Sequence, residues 1–194
     1  MNRPVVIAEI GCNHKGDMEI AHKMIKLLGV FKTLNPDASI DIVKFQKRTN
    51  KELLTPEEYN APHPHPENSY GATYGEHREF LEFNQDQHAL LKKWCEEEGL
   101  IYSTSTWDLT AAKEIVALNP KLIKVPSASN CDFDMLGYLR DHYNGEVHLS
   151  FGMTTKAEER KIVDFFKEKN RAKDLVIYAC TSGYPVPFED ICLN

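Results

Sequence analysis

Two lysines stand inside apolar runs where a bare ammonium is costly: Lys44 in Ile42-Val43-Lys44-Phe45-Gln46 and Lys124 in Leu122-Ile123-Lys124-Val125. An unpaired charge in a core strand costs roughly several kcal/mol, so each lysine must meet an anion. That anion is either a carboxylate in a structural ion pair or a bound ligand. Around the two lysines, Glu9, Gln46, Thr104, Ser127, Ser129, Ser150, Thr181, Ser182 and Tyr184 stand at or just past the ends of similar runs. Two ammonium groups with several hydroxyl donors suit a small, multiply charged anion such as a phosphorylated carboxylate. Charge-assisted hydrogen bonds of this kind strengthen where the dielectric is low. A carboxylate beside them, Glu9, has the chemistry of a base or of a holder of a sugar hydroxyl.

Such groups converge only if the elements bring them together. Six apolar runs, at residues 5–9, 42–46, 100–104, 122–125, 147–150 and 175–181, read as buried strands. Helical periodicity falls at 18–31, 85–98, 109–118, 133–142 and 156–169, with Asp17 placed to cap the first helix. Strand and helix in alternation imply parallel strands, whose carboxyl ends gather on one side. Side chains alternate along a strand, so Lys44 and Gln46 share a face. Six units fit a flat doubly wound sheet or an eight-stranded barrel short of its last two units, and spacing leaves both open. Against the flat sheet, the turn at residues 11–16 lacks the dinucleotide glycine pattern, and no GxxxxGK[ST] occurs.

The connection at residues 47–82 is long for a compact domain. A short helical piece falls near 56–59, and the prolines of Ala61-Pro62-His63-Pro64-His65-Pro66 favour an extended segment. Its content, with Tyr70, Tyr74, Glu76, His77 and Arg78, points to an ordered lid or binding loop.

With 194 residues and 42% hydrophobic content, the chain reads as one domain, residues 1–194. A net charge of −6 without basic runs argues against nucleic-acid or membrane partners. No apolar stretch nears the ~18 residues of a membrane span, and Met1-Asn2-Arg3-Pro4 opens no signal-peptide core. A cytoplasmic protein is expected. Cys12, Cys95, Cys131, Cys180 and Cys192 form no CxxC pair, so neither a disulfide framework nor a zinc site is indicated. Several residues have plain structural readings. Ser103, Ser105 and Thr106 fit backbone hydrogen bonding, His63 and His65 a solvated loop rather than a metal pair, and His148 a satisfied core histidine. His14, in a glycine-flanked turn, fits a ligand contact or the surface equally.

The motifs Ile7-Ala8-Glu9-Ile10-Gly11-Cys12-Asn13-His14-Lys15-Gly16-Asp17, Val43-Lys44-Phe45-Gln46, Ile123-Lys124-Val125-Pro126-Ser127, Leu149-Ser150-Phe151-Gly152-Met153 and Cys180-Thr181-Ser182-Gly183-Tyr184-Pro185 appear in this order. Together they resemble the sialic acid synthase family. The resemblance implies a TIM-type (β/α) barrel, of which this α/β chain holds about six of eight units. It also implies condensation of phosphoenolpyruvate with an N-acetylated amino sugar such as N-acetylmannosamine, giving a nine-carbon keto acid and phosphate. By the same resemblance Glu9, Lys44 and Lys124 are catalytic, with Lys44, Thr104, Lys124, Ser127 and Ser150 holding phosphoenolpyruvate. Gln46, Ser182 and Tyr184 belong to the substrate-binding set, Gln46 and Tyr184 facing the sugar. A divalent metal, manganese or magnesium, is implied as the Lewis acid on the aldehyde. Its ligands, the last barrel units and an antifreeze-like domain would lie beyond Asn194, so the chain is expected to be an inactive piece of a homodimeric enzyme. Ser129, Phe151 and Ser182 depart from residues usual in relatives, and pseudaminic or legionaminic acid precursors fit the amino sugar as well. Two alternatives stand beside this: a three-deoxy sugar acid phosphate synthase, and a non-catalytic anion- or sugar-binding module.

Overall fold

Six parallel strands pair in chain order, β1-β2-β3-β4-β5-β6, in a computed structural model that describes residues 3–38, 40–183 and 185–191. The strands are β1 Ile7–Gly11, β2 Ile42–Lys47, β3 Ile101–Thr106, β4 Leu122–Val125, β5 Glu146–Phe151 and β6 Leu175–Ala179. A doubly wound sheet reverses its order at a switch point, whereas each new strand here is added to the same edge, as in a barrel. The sheet curls until residues next to and on its first strand, Val5 and Ile7, line one cavity of about 820 Å³ with Val176, Ile177 and Tyr178 of its last. It does not close, since β1 and β6 are not paired.

Between β1 and β2 runs α1, Met18–Leu34. The excursion after β2 carries α2 Asn50–Leu53, α3 Pro56–Asn60 and α4 Tyr74–Phe80, and α5 Gln85–Glu97 leads into β3. Helices α6 Leu109–Ala117, α7 Phe133–His142 and α8 Lys156–Lys167 follow β3, β4 and β5. Each outer helix starts at a side-chain cap: Asp17, Asn84, Asp108, Asp132 and Thr155 accept from first-turn amides of α1, α5, α6, α7 and α8. Such caps satisfy donors that the helix itself leaves free.

Strand alternation then divides the side chains. Val43, Phe45 and Tyr102 face outward into one apolar cluster with Ala21 and Ile25 of α1 and Leu91 of α5. Ile123, Val125, Val147 and Leu149 face outward into a second, with Ile115, Leu136 and Phe166 of the later helices. The inner face is layered. Ile7, Ile42 and Ile101 lie side by side at the amino end, and Glu9, Lys44 and Ser103 form the next row. One step further, Ser105 pairs with Lys124 and Lys124 with His148. The barrel interior is thus apolar below and polar toward the carboxyl ends.

The strands match the expected runs with shifted ends, and one shift matters. Strand β3 continues two residues past the expected end, to Thr106. At the open ends of the layer the apolar surface is bare: Val176 and Ile177 on β6, and Leu27, Val30, Phe31 and Leu34 on α1, are exposed. No helix among the described residues is long and apolar enough to cross a membrane.

Candidate active site

At the carboxyl rim a β-bulge between Glu9 and Gly11 ends β1, and Gly11 takes φ +57°. Bulges of this kind re-aim a side chain beside a site. The Glu9 carboxylate forms an ion pair with the Lys44 ammonium and accepts from Gln46 Nε2 at 2.9 Å. Lys44 also donates to Ser105 Oγ at 3.1 Å. The Lys44 side chain is 10% exposed and that of Glu9 44%, so the pair opens to solvent through its carboxylate.

Lys124 has no carboxylate partner among the described residues. Its Nζ donates to the Val125 carbonyl at 3.4 Å and lies 5.5 Å from the Tyr178 ring centre. Both amines titrate below the ordinary lysine value. Burial, then the Lys124 ammonium, pulls Lys44 down to about 7, while the touching Glu9 carboxylate works against that fall. Burial lowers Lys124 as well, opposed by Cys180. A Lys124 ammonium near enough to depress Lys44, with one carboxylate counter-charge and that on Lys44, leaves an excess positive potential that a dianion would neutralise.

Ser127 follows β4 in a short 3₁₀ turn, and its hydroxyl lies beside Gly152 and Ser182. A Cβ on Gly152 would stand 2.5 Å from Ser127 Oγ and 3.2 Å from Ser182 Oγ. Only glycine leaves both hydroxyls in place. Gly152→Ala is therefore expected to cost about 1–3 kcal/mol of stability, the usual penalty of overpacking, and to displace Ser127. Thermal melts alongside ligand titrations check this, and an unchanged melt would contradict it. Ser182 Oγ accepts from the Met153 amide at 3.2 Å. Ser150 is buried on the inner face of β5, and Asn130 Nδ2 clamps the Ser150 and Gly152 carbonyls at 3.0 Å each.

Thr104 needs a correction. It shares the outward face of β3 with Tyr102 and is fully buried. The rim hydroxyl of β3 is Ser105, one residue on. Ser103 and Thr106 bond to the Leu122 and Lys124 carbonyls, as their plain reading has it. Tyr184 and Cys192 lie outside the described residues. His14 is not a surface group: it is buried, stacks on Phe83 at 4.1 Å, accepts from the Gly16 amide, and burial lowers it to about 4. His148 is satisfied by Tyr178 and Glu146 at 2.8 and 3.2 Å.

The excursion after β2 folds back onto the rim. Arg48 pairs with Glu82 through Nε and through its backbone amide, and donates to Cys12 Sγ at 2.9 Å. Both side chains of the pair are under 10% exposed, so removing either partner would strand a buried charge. The His63 ring lies in tilted contact with the rings of His65, His77 and Tyr74. Among the described residues no group of three or more His, Cys, Asp or Glu side chains is arranged to hold a metal ion.

The sequential parallel sheet is that of an unclosed TIM-type barrel, and its carboxyl rim carries Lys44 and Lys124. The pattern of the NeuB family matches residues 34–194, and the chain belongs to that family. It is 31% identical over 194 residues to N-acetylneuraminate-9-phosphate synthase of Homo sapiens, across 97% of this chain and 50% of that protein. It is 25% identical to N,N'-diacetyllegionaminic acid synthase of Campylobacter jejuni, across 100% of this chain and 56% of that protein. The chain thus spans about half the length of the curated relatives it matches. Among solved structures, the N-acetylneuraminic acid synthetase of Leptospira borgpetersenii in complex with citrate superposes with a TM-score of 0.77 at 22% identity, over 97% of this chain and 58% of that one.

Proposed function

We propose that the chain carries the phosphoenolpyruvate-binding part of an enzyme that condenses phosphoenolpyruvate with an N-acetylated amino sugar. The single observation that carries this reading is the occurrence of an ion-paired and an uncommitted lysine, Lys44 on β2 and Lys124 on β4, on the same inner face of the rim with Ser105 of β3 between them. Phosphate and carboxylate of the substrate take the two amines and the Ser105, Ser127 and Ser150 hydroxyls; Glu9, Gln46 and Ser182 face the sugar.

In the reaction, the methylene carbon of phosphoenolpyruvate bonds to the aldehyde carbon of the open-chain sugar, whose oxygen gains a proton. Water adds to the cation left at the second carbon and loses a proton. The bond from that carbon to the phosphate oxygen then breaks, giving the keto group and inorganic phosphate. Glu9 is the group placed to take or return a proton, and the lysines offset the negative charge that gathers on the phosphate.

The side chains of the described residues do not fit the divalent cation that the resemblance implies: Glu9 is engaged by Lys44 and Gln46, and no other cluster is formed. Its ligands, two further strand–helix units and an antifreeze-like domain belong, on this reading, to polypeptide outside the chain. The bare apolar residues of β6 and α1 support that, and they favour pairing of copies when left uncovered. A cytoplasmic setting is part of the same reading.

Calorimetric titration of the 194-residue chain with phosphoenolpyruvate, inorganic phosphate and pyruvate tests the reading. Phosphoenolpyruvate should bind more tightly than either, and supplying manganese and N-acetylmannosamine should release no phosphate from the chain alone. Equal binding of inorganic phosphate would contradict the site, and turnover would contradict its incompleteness.

A further inference from the structure

Gln46 is held at both ends of its amide. Its Nε2 donates to Glu9 Oε1 at 2.9 Å, and its Oε1 accepts from Trp107 Nε1 at 2.7 Å. An indole can only donate and a carboxylate can only accept, so the two neighbours together allow one orientation of the amide and forbid the flipped one. We propose that Trp107 is a positioning residue whose indole N–H fixes the Gln46 amide, turning its N–H side toward Glu9 and the rim.

Trp107 is itself fixed along its backbone. Its amide donates to the Lys47 carbonyl at 3.2 Å, and its carbonyl accepts from Ser129 Oγ at 2.7 Å. The adjoining Asp108 accepts from the Thr49 amide at 2.7 Å, and the Arg48 guanidinium lies 5.9 Å from the indole ring centre. The ends of β2 and β3 are therefore laced together around the indole. A relay of five side chains results: Trp107 to Gln46, Gln46 to Glu9, Glu9 to Lys44, and Lys44 to Ser105.

The relay dictates what the rim can recognise. With one amide hydrogen given to Glu9 and its carbonyl held by the indole, Gln46 presents its second amide hydrogen to a ligand as a donor. The partner that this hydrogen selects is an acceptor oxygen, such as a carbonyl, while the neighbouring Glu9 carboxylate is the group that accepts from a hydroxyl. On the reading under Proposed function, which this step assumes, that oxygen belongs to the amino sugar. Losing the indole donor then affects the sugar and spares phosphoenolpyruvate.

The chain has two tryptophans, so its indole N–H signals in nitrogen-15 NMR number two. Trp94, stacked on His22 at 4.0 Å, serves as the internal reference. In the ligand-free chain, Gln46→Ala should speed exchange of the Trp107 indole proton by about fivefold, the factor for one hydrogen bond of ordinary net strength, and leave Trp94 unchanged. Unaltered exchange at Trp107 would overturn the proposal. Trp107→Phe keeps a ring and removes the donor; N-acetylmannosamine should then bind about fivefold more weakly while phosphoenolpyruvate binds as before. A parallel fall in both affinities, or in neither, would also overturn it. Failure of the unmutated chain to bind N-acetylmannosamine would count against the acceptor assigned above, with the relay still decided by indole exchange.

Discussion

Lys124→Met lowers the affinity of the chain for phosphoenolpyruvate by about a hundredfold, at the upper end of what loss of one charge-assisted hydrogen bond produces. Lys124 is the more revealing of the two lysines because no carboxylate neutralises it among the described residues; its contacts are a carbonyl and the Tyr178 ring. Methionine keeps the unbranched stem and removes a charge that burial already disfavours, so folding should be unharmed or improved. Calorimetry measures the affinity and a thermal melt confirms the fold. Unchanged binding by a folded Lys124→Met chain would remove this residue from the site.

The second large effect is on pH. Lys44, drawn down to about 7, has partly lost its proton in the ligand-free chain near neutrality, whereas an unfolded lysine keeps its proton up to the ordinary value of 10.5. A bound dianion restores the charged form. Binding above pH 7 must therefore take up a proton, and affinity should fall by as much as about tenfold per pH unit across the window toward 10.5. Below 7 the amine is already charged, and its contribution levels off. Stability of the free chain has the opposite slope: the unfolded state holds a proton that the folded state has released, so stability rises with pH through the same window. The Glu9 pair narrows that window from its lower side. Titrations at pH 8 in two buffers of different ionisation heat should reveal proton uptake that Lys44→Met abolishes. Equal apparent heats in both buffers would contradict the shift.

Much of this architecture is legible in the residues. Lys44 and Gln46 lie two apart in an apolar run, and the structure sets both on the inner face, joined through Glu9. The capping Asp17 and the strand–helix alternation also translate directly into elements. Thr104 and Ser105 show where such reading stops. Residues 103–106 are all Ser or Thr, so no change of polarity marks where β3 ends, and a one-residue difference in parity moves a hydroxyl from rim to helix layer. Tyr102, which faces the outer cluster, is the residue that sets this parity.

Contacts between distant residues were invisible for another reason. Trp107 and Gln46 are 61 positions apart and Arg48 and Glu82 are 34 apart, and no periodicity announces either pair. His14 likewise carried no sign that Phe83 would cover it. The choice between flat sheet and barrel was settled by pairing order alone, a property of how strands meet rather than of any one segment.

The most direct measurement is a crystal structure of the 194-residue chain with phosphoenolpyruvate. Both Nζ atoms, of Lys44 and Lys124, should stand about 2.7–2.9 Å from phosphate or carboxylate oxygens of one ligand molecule, with Ser105 Oγ and not Thr104 Oγ1 at the same anion. A ligand seated elsewhere, or one that leaves Lys124 on the Val125 carbonyl, would contradict the account.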